Sequence, residues 1–172
     1  KGKFICLLDA DDRWEKNKLQ LQVEAFSDKN IIYTTAAKYF NSQNLKSSIL
    51  INFIRIILQK FFISRINKSG FHWFYIYNPI VTSSILAHRN VFKNFFFDAD
   101  KDIREDIDMW IRLRQGNYNF YLVKNIATNI FRRNDSLTSN FKKELLTLIR
   151  SLSNTFLKMN IFSKLNFFLI GI

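Results

Sequence analysis

The chain has 172 residues, 48% of them hydrophobic, which suffices for one domain with a real core and excludes a disordered tail. Lys and Arg outnumber Asp and Glu 26 to 14, so a formal charge of +12 draws the chain to anions without choosing between phosphates, nucleic acid and acidic lipid. The single cysteine, Cys6, reads as a small core residue and excludes both an intramolecular disulfide framework and a thiolate metal site.

The chain begins at Lys1 and runs at once into an apolar strand over residues 4–8, so it reads as a fragment whose amino-terminal part is missing. No signal-peptide pattern is visible, and a cytoplasmic location is the default expectation. The strand is expected to be buried and to deliver Asp9, Asp11 and Asp12 to its carboxyl end, where open α/β sheets place ligands. Each carboxylate raises the cost of ionising its neighbours, so three so close call for a cation. Hard oxygen donors suit Mg²⁺ or Mn²⁺ bridging a diphosphate, whereas zinc would want the His and Cys ligands that are scarce here. Helix capping by Asp11 or Asp12 is the plainer alternative, but it explains one aspartate of the three.

Residues 14–26 carry a helical pattern with Leu19, Val23 and Phe26 on one face, and residues 31–35 follow as a short β-branched strand. A loop at Ser42, Gln43 and Asn44 leads to residues 48–66, an amphipathic helix with Ser48, Asn52, Arg55 and Gln59 on a polar stripe. Arg55 and Lys60 interrupt it, so it lacks the ~18 uninterrupted apolar residues of a spanning helix. Two placements stay open for it: in a membrane interface, or capping the domain's core.

Ser69-Gly70 predicts a turn, residues 71–77 are an aromatic run, and Asn78-Pro79 holds the chain's one proline. Residues 80–86 read as a strand and residues 91–97 lead to a second acid cluster. No acid occurs between Asp28 and Asp98, yet nine of the 14 acids fall in the windows Asp9 to Asp12 and Asp98 to Asp108. A calcium loop over Asp98, Asp100 and Asp102 fails, because Ile103 and Met109 stand where glycine and a bidentate glutamate are needed. Residues 103–115 have helical periodicity through Ile103, Ile107, Trp110 and Ile111, with Gly116 and Asn117 as closing residues. Early in that helix Glu105 and Asp106 are stabilised by its dipole, and a carboxylate there beside Trp110 has the chemistry of a general base. His72 and His88 are the only histidines, and His88, next to Arg89, reads as a solvent-facing or helix-start polar residue. Residues 118–123 and 126–131 read as two strands, 140–159 as an amphipathic helix with Phe141, Leu145, Leu148, Leu152 and Met159 on a stripe, and 161–172 as an apolar tail too short to cross a bilayer.

Five stretches together resemble the later part of a family 2 glycosyltransferase of the GT-A fold. They are residues 2–14 with Asp9-Ala10-Asp11-Asp12; Lys18-Leu19 with Gln22; Asn78-Pro79-Ile80-Val81-Thr82-Ser83-Ser84; Arg104-Glu105-Asp106 through Trp110 to Leu113; and Phe131-Arg132 with Ser136-Leu137-Thr138. The resemblance implies a Rossmann-like α/β mixed sheet flanked by helices and incomplete at the amino terminus. Residues 1–139 would form the partial catalytic domain and residues 140–172 an amphipathic helical and apolar tail. It also implies inverting transfer of a sugar from a nucleotide diphosphate, UDP favoured, to an acceptor hydroxyl. Asp11 and Asp12 would hold Mn²⁺ or Mg²⁺; Asp9 and Arg132 would bind donor; Asp106 would be the base; and Glu105, Trp110, Thr82 and Ser83 would line the acceptor side.

The same resemblance points to a lipid-linked or glycan acceptor in bacterial lipopolysaccharide or capsule assembly, on the inner face of the cytoplasmic membrane. No Gln-x-x-Arg-Trp element occurs, which favours single-sugar addition, and no nucleic acid is expected. Three departures stand out: the family's opening half is absent, so activity of this piece alone is not expected; Arg133-Asn134 replaces a frequent histidine after Arg132; and residues 45–70 are longer and more apolar than a usual family loop. The competing class is a basic membrane-surface or nucleic-acid-binding module, which leaves the acid clusters unexplained. An aspartate-nucleophile phosphotransferase would need Thr or Val where Arg13 stands.

Overall fold

A computed structural model describes residues 2–41, 49–97 and 105–132; the expected helix at 140–159, the tail at 161–172 and Asp98, Asp100, Asp102 and Ile103 lie outside the described residues. In chain order the elements are β1 (Phe4–Cys6), β2 (Arg13–Trp14), α1 (Lys18–Glu24), β3 (Ile31–Asn41), α2 (Ile49–Ser69), a 3₁₀ turn at Phe71–Tyr75, a second at Thr82–Ser84, β4 (Ile85–His88), α3 (Val91–Asn94), α4 (Glu105–Gln115) and β5 (Asn119–Arg132). The fold is mixed α/β.

The five strands form one mixed sheet in the order β1-β4-β3-β5-β2. β3 and β5 are parallel, with Ile31 opposite Asn119 and Asn41 opposite Arg132, and the other three pairings are antiparallel. The two strands expected within residues 118–131 are one continuous strand, bent by an irregular register. Two steps along β3, Thr35 to Ala37, answer five along β5, Val123 to Thr128. Of the unpaired residues, Lys124 and Asn125 are exposed and Ala127 is buried. β1 is half-buried rather than buried because it lies at the sheet's edge. The strand expected over residues 80–86 forms only from Ile85, after a 3₁₀ turn that the chain enters through an extended Val81.

Strand alternation divides the core between the two sheet faces. On one face Ile32, Ile85 and Ala87 meet Ile63 and Ile66 of α2, Phe74, and Met109, Trp110 and Leu113 of α4. On the other, Tyr33, Leu86 and Val123 meet Phe4, Leu21, Ala25 and Phe26. α4 ends in a Schellman motif: the Tyr118 N–H donates to the Leu113 carbonyl (3.0 Å), the Asn117 N–H donates to the Arg114 carbonyl (3.1 Å), and Asn117 takes the left-handed φ of 64°. Gly116 is needed for space instead, because a Cβ there would sit 2.7 Å from the Phe95 ring.

Both long helical readings are corrected in the same way. α1 starts at Lys18, since Arg13 and Trp14 pair with Asn129 and Thr128, and it buries Lys18 and Gln22 while Leu19 and Val23 face water. α2 buries Asn52 and Gln59 from the expected polar stripe and leaves a row of aliphatic and aromatic side chains outside. The reason is the irregular sheet beneath them. β4 pairs with β3 over two residue pairs only, so carbonyls of β3 and of the chain entering β4 need other donors. Gln22 Nε2 donates to the Tyr33 and Ser84 carbonyls (2.9 and 2.8 Å), and Gln59 Nε2 to the Thr35 carbonyl at the register shift (3.3 Å). Asn52 Oδ1 accepts the Tyr39 N–H (3.1 Å).

Candidate active site

β1 and β2 lie at opposite edges of the sheet, and residues 7–12 connect them. Within this connection the Asp12 N–H donates to the Asp9 carbonyl (3.1 Å), closing a turn with Ala10 and Asp11 at its tip. Asp9 and Asp11 are exposed and Asp12 is half-buried. The acid cluster is therefore a turn beyond β1, not the last residues of the strand itself.

Ser83, fully buried in the second 3₁₀ turn, fixes this loop. Its hydroxyl accepts the Asp9 N–H (3.0 Å) and donates to Asp12 Oδ2 (2.6 Å), while its carbonyl accepts the Trp14 indole N–H (2.6 Å). Asp12 Oδ1 accepts the Phe131 N–H (3.3 Å). Burial pushes the Asp12 carboxyl above the usual range; the bonds from Ser83 and Phe131 oppose this, and the charges of Asp9 and Asp11 add to it. Beneath the turn, Lys18 Nζ donates to Gln22 Oε1 (2.7 Å) and lies over the Trp14 ring at 4.2 Å. Burial lowers its pKa from 10.5 to about 8.

The second acid cluster is described from Glu105 onward. Asp106, half-buried in the first turn of α4, accepts from Asn78 Nδ2 (2.9 Å) and from the Ile107 N–H (2.7 Å), and Asn78 Oδ1 in turn accepts the Ile80 N–H (3.0 Å). Burial raises the Asp106 pKa, the charge of neighbouring Glu105 raises it further, and its hydrogen bonds pull the other way. A carboxylate with a raised pKa is the better proton acceptor near neutral pH. Asp108 pairs instead with Arg112 (2.8 Å), which also donates to the Phe96 carbonyl.

Asn78 and Ser83 thus bind one carboxylate of each cluster, and five residue steps separate them. A chain of that length reaches at most about 18 Å, so a single short segment hydrogen-bonds both Asp12 and Asp106. Thr82 lies within this segment and Glu105 immediately precedes Asp106; both are half-buried. Trp110 is fully buried, edge-on to Phe97 and Phe120, and its indole N–H has no partner among the described residues. Arg132 ends β5 one residue beyond Phe131, and its side chain lies outside the described residues. His88 packs on the Phe26 ring, its Nδ1 accepting the Asn90 N–H. Lys18 and Asn78 had no assigned role in the sequence reading, although the Lys18–Gln22 spacing of one helical turn and the Asn-Pro pair were both visible.

Among the described residues, no group of three or more His, Cys, Asp or Glu side chains is arranged to hold a metal ion. Asp11 and Asp12 offer carboxylate oxygens alone, and one or two such ligands suit a hard cation that completes its shell with phosphate oxygens and water. The donor set therefore fits a substrate-bridged Mg²⁺ or Mn²⁺ and does not fit a closed structural site. The chain matches no family model, no curated protein and no solved structure.

Proposed function

We propose that this chain carries the metal and acceptor half of a family 2 glycosyltransferase of the GT-A fold, transferring one sugar from a UDP-sugar to an acceptor hydroxyl with inversion. The observation that supports it best is the Asn78–Ser83 segment, whose hydrogen bonds tie Asp12 of one acid cluster to Asp106 of the other. Asp11 and Asp12 would hold Mn²⁺ or Mg²⁺, and Asp9 and Arg132 the rest of the donor. When bound, that cation neutralises charge developing on the diphosphate leaving group.

The chain's own residues would do the remaining work. Asp106 takes the proton of the acceptor hydroxyl while its oxygen attacks the anomeric carbon opposite the departing diphosphate. Asn78 fixes the carboxylate's orientation, Glu105 keeps its proton affinity high, and Thr82 and Glu105 border the acceptor. Trp110 acts from the core, holding α4 in place. A lipid-linked acceptor at the inner face of a cytoplasmic membrane, in bacterial lipopolysaccharide or capsule assembly, belongs to the same reading. Among the described residues no helix is long and apolar enough to cross a membrane.

The second reading is a basic membrane-surface module without catalysis, which the exposed apolar side of α2 favours. Calorimetric titration of UDP-sugars with Mn²⁺ separates the two. Metal-dependent binding that disappears in an Asp11→Ala, Asp12→Ala double variant is expected. The titration uses the chain restored to full length, and absence of nucleotide-sugar binding by that folded protein, across several bases, would return the acid turn to a purely structural role.

A further inference from the structure

Helix α2 buries Phe62, Ile63 and Ile66 together with the amides Asn52 and Gln59, and an apolar row runs along its outward side. Leu50, Phe53 and Ile57 are 68%, 61% and 52% exposed, and Ile54 and Phe61 continue the same side at spacings of three and four residues. Large aliphatic and aromatic groups lined up along one helix in water form a patch of the kind that marks an interaction surface.

Its charges say what the partner carries. α2 contains Arg55, Lys60, Arg65 and Lys68 and no acid, and no Asp or Glu occurs anywhere from residue 29 to residue 97. The Arg65 guanidinium lies 5.2 Å from the centroid of the Phe61 ring and 5.8 Å from that of Trp73, so a cation is held at the border of the apolar row by the aromatic groups that form it. Tyr75, in the 3₁₀ turn that follows, is also exposed. Hydrocarbon, then Trp and Tyr, then Lys and Arg is the order in which a bilayer's interface accepts side chains. Nucleic acid offers phosphate but gives aliphatic side chains no gain.

We propose that the outward side of α2 is a membrane-binding surface that lies flat in the interface of an anionic bilayer. Phe53, Ile57 and Phe61 enter the acyl boundary, and Lys60, Arg65 and Lys68 meet headgroup phosphates. This rests on the membrane-facing part of the reading above and names the surface that serves it. It needs no donor, metal or acceptor, so its failure would leave sugar transfer untouched, and failure of transfer would leave it standing.

The test is co-sedimentation of the full chain with phosphatidylglycerol-rich vesicles and with pure phosphatidylcholine vesicles. Binding to the first and little to the second is expected. Phe53→Glu with Ile57→Glu should lower partitioning on the order of tenfold or more, with helix content by circular dichroism unchanged because both positions are exposed. Lys60→Gln, a milder change, should cost about fivefold at low salt. No binding to anionic vesicles, or equal binding by the double variant, would overturn the proposal. So would sedimentation equilibrium showing a dimer that the double variant dissociates while neither vesicle is bound, since a second copy would then be the occupant.

Discussion

Replacing Ser83 with alanine takes one hydroxyl from a fully buried position and leaves two groups without their partner, the Asp9 N–H and Asp12 Oδ2. A hydrogen bond to a charged group contributes about 1.5–3 kcal/mol and a neutral one about 0.5–1.5 kcal/mol, so Ser83→Ala should destabilise by roughly 2–4 kcal/mol at neutral pH. The Trp14 bond to the Ser83 carbonyl is untouched. Only the Asp12 part depends on pH. A carboxyl whose folded pKa lies above its unfolded value gives stability that is fully present at low pH and lost as pH rises through the folded pKa. Donation from Ser83 is one of the forces holding the Asp12 pKa down against burial. Without it that pKa rises further, and the variant loses more than the parent as Asp12 ionises. Urea unfolding followed by circular dichroism, at neutral pH and again below the carboxylate range, should show the larger deficit at neutral pH. An equal deficit at both, or one under about 0.5 kcal/mol, would refute the claim that Ser83 supports an ionised Asp12.

Asp106→Asn should lower turnover about 10²–10⁴-fold with donor affinity retained, and at neutral pH it should not lower the melting temperature, because burial and Glu105 oppose the native carboxylate; unchanged turnover in a coupled UDP-release assay would remove Asp106 from the base role. Lys18 has a folded pKa of about 8 against 10.5, so the parent should gain stability between those pH values, up to about 3 kcal/mol, and Lys18→Met should not; parallel urea titrations at pH 8 and pH 10.5 decide it. Gly116→Ala should cost about 1–3 kcal/mol through the clash with Phe95, whereas Asn117→Gly, at φ 64°, should be near neutral, and thermal melts that reverse this order would refute the assignment of space to one position and backbone to the other.

Local signals were legible where neighbours in sequence are neighbours in space. The acids of residues 9–12, the periodicity of α4 and its Gly116-Asn117 ending are of this kind. What misled was the assumption that a helix buries its apolar side. Lys18, Gln22, Asn52 and Gln59 point inward because β4 covers so little of β3 and because β3 and β5 slip in register near Thr35, leaving backbone groups that only long-range topology creates. The same holds for the site. Each carboxylate cluster announces itself in the sequence, yet the atoms that position them belong to Asn78 and Ser83, 28 residues before Asp106 and 71 after Asp12. The β2 edge of the sheet shows the converse: Trp14 opens a helical pattern on paper, but pairing with β5 claims it first.

The placement of β1 and β2 at opposite sheet edges also sets the order in which the molecule can be made. The acid turn leaves the ribosome well before its partner, because the Phe131 N–H that Asp12 accepts lies 119 residues later in the chain. Contacts of such sequence separation form slowly, after local helices and hairpins, and the ends of a growing chain cannot meet before both exist. Among the described strands β1 pairs with β4 and β2 with β5, so neither pairing forms until the later strand has emerged. Three neighbouring carboxylates that stay solvated through this interval also keep the segment from collapsing onto the wrong apolar partner. Among the described residues the acid turn is thus locked only once β5 has formed, so completion of the sheet and fixing of this turn are a single folding event.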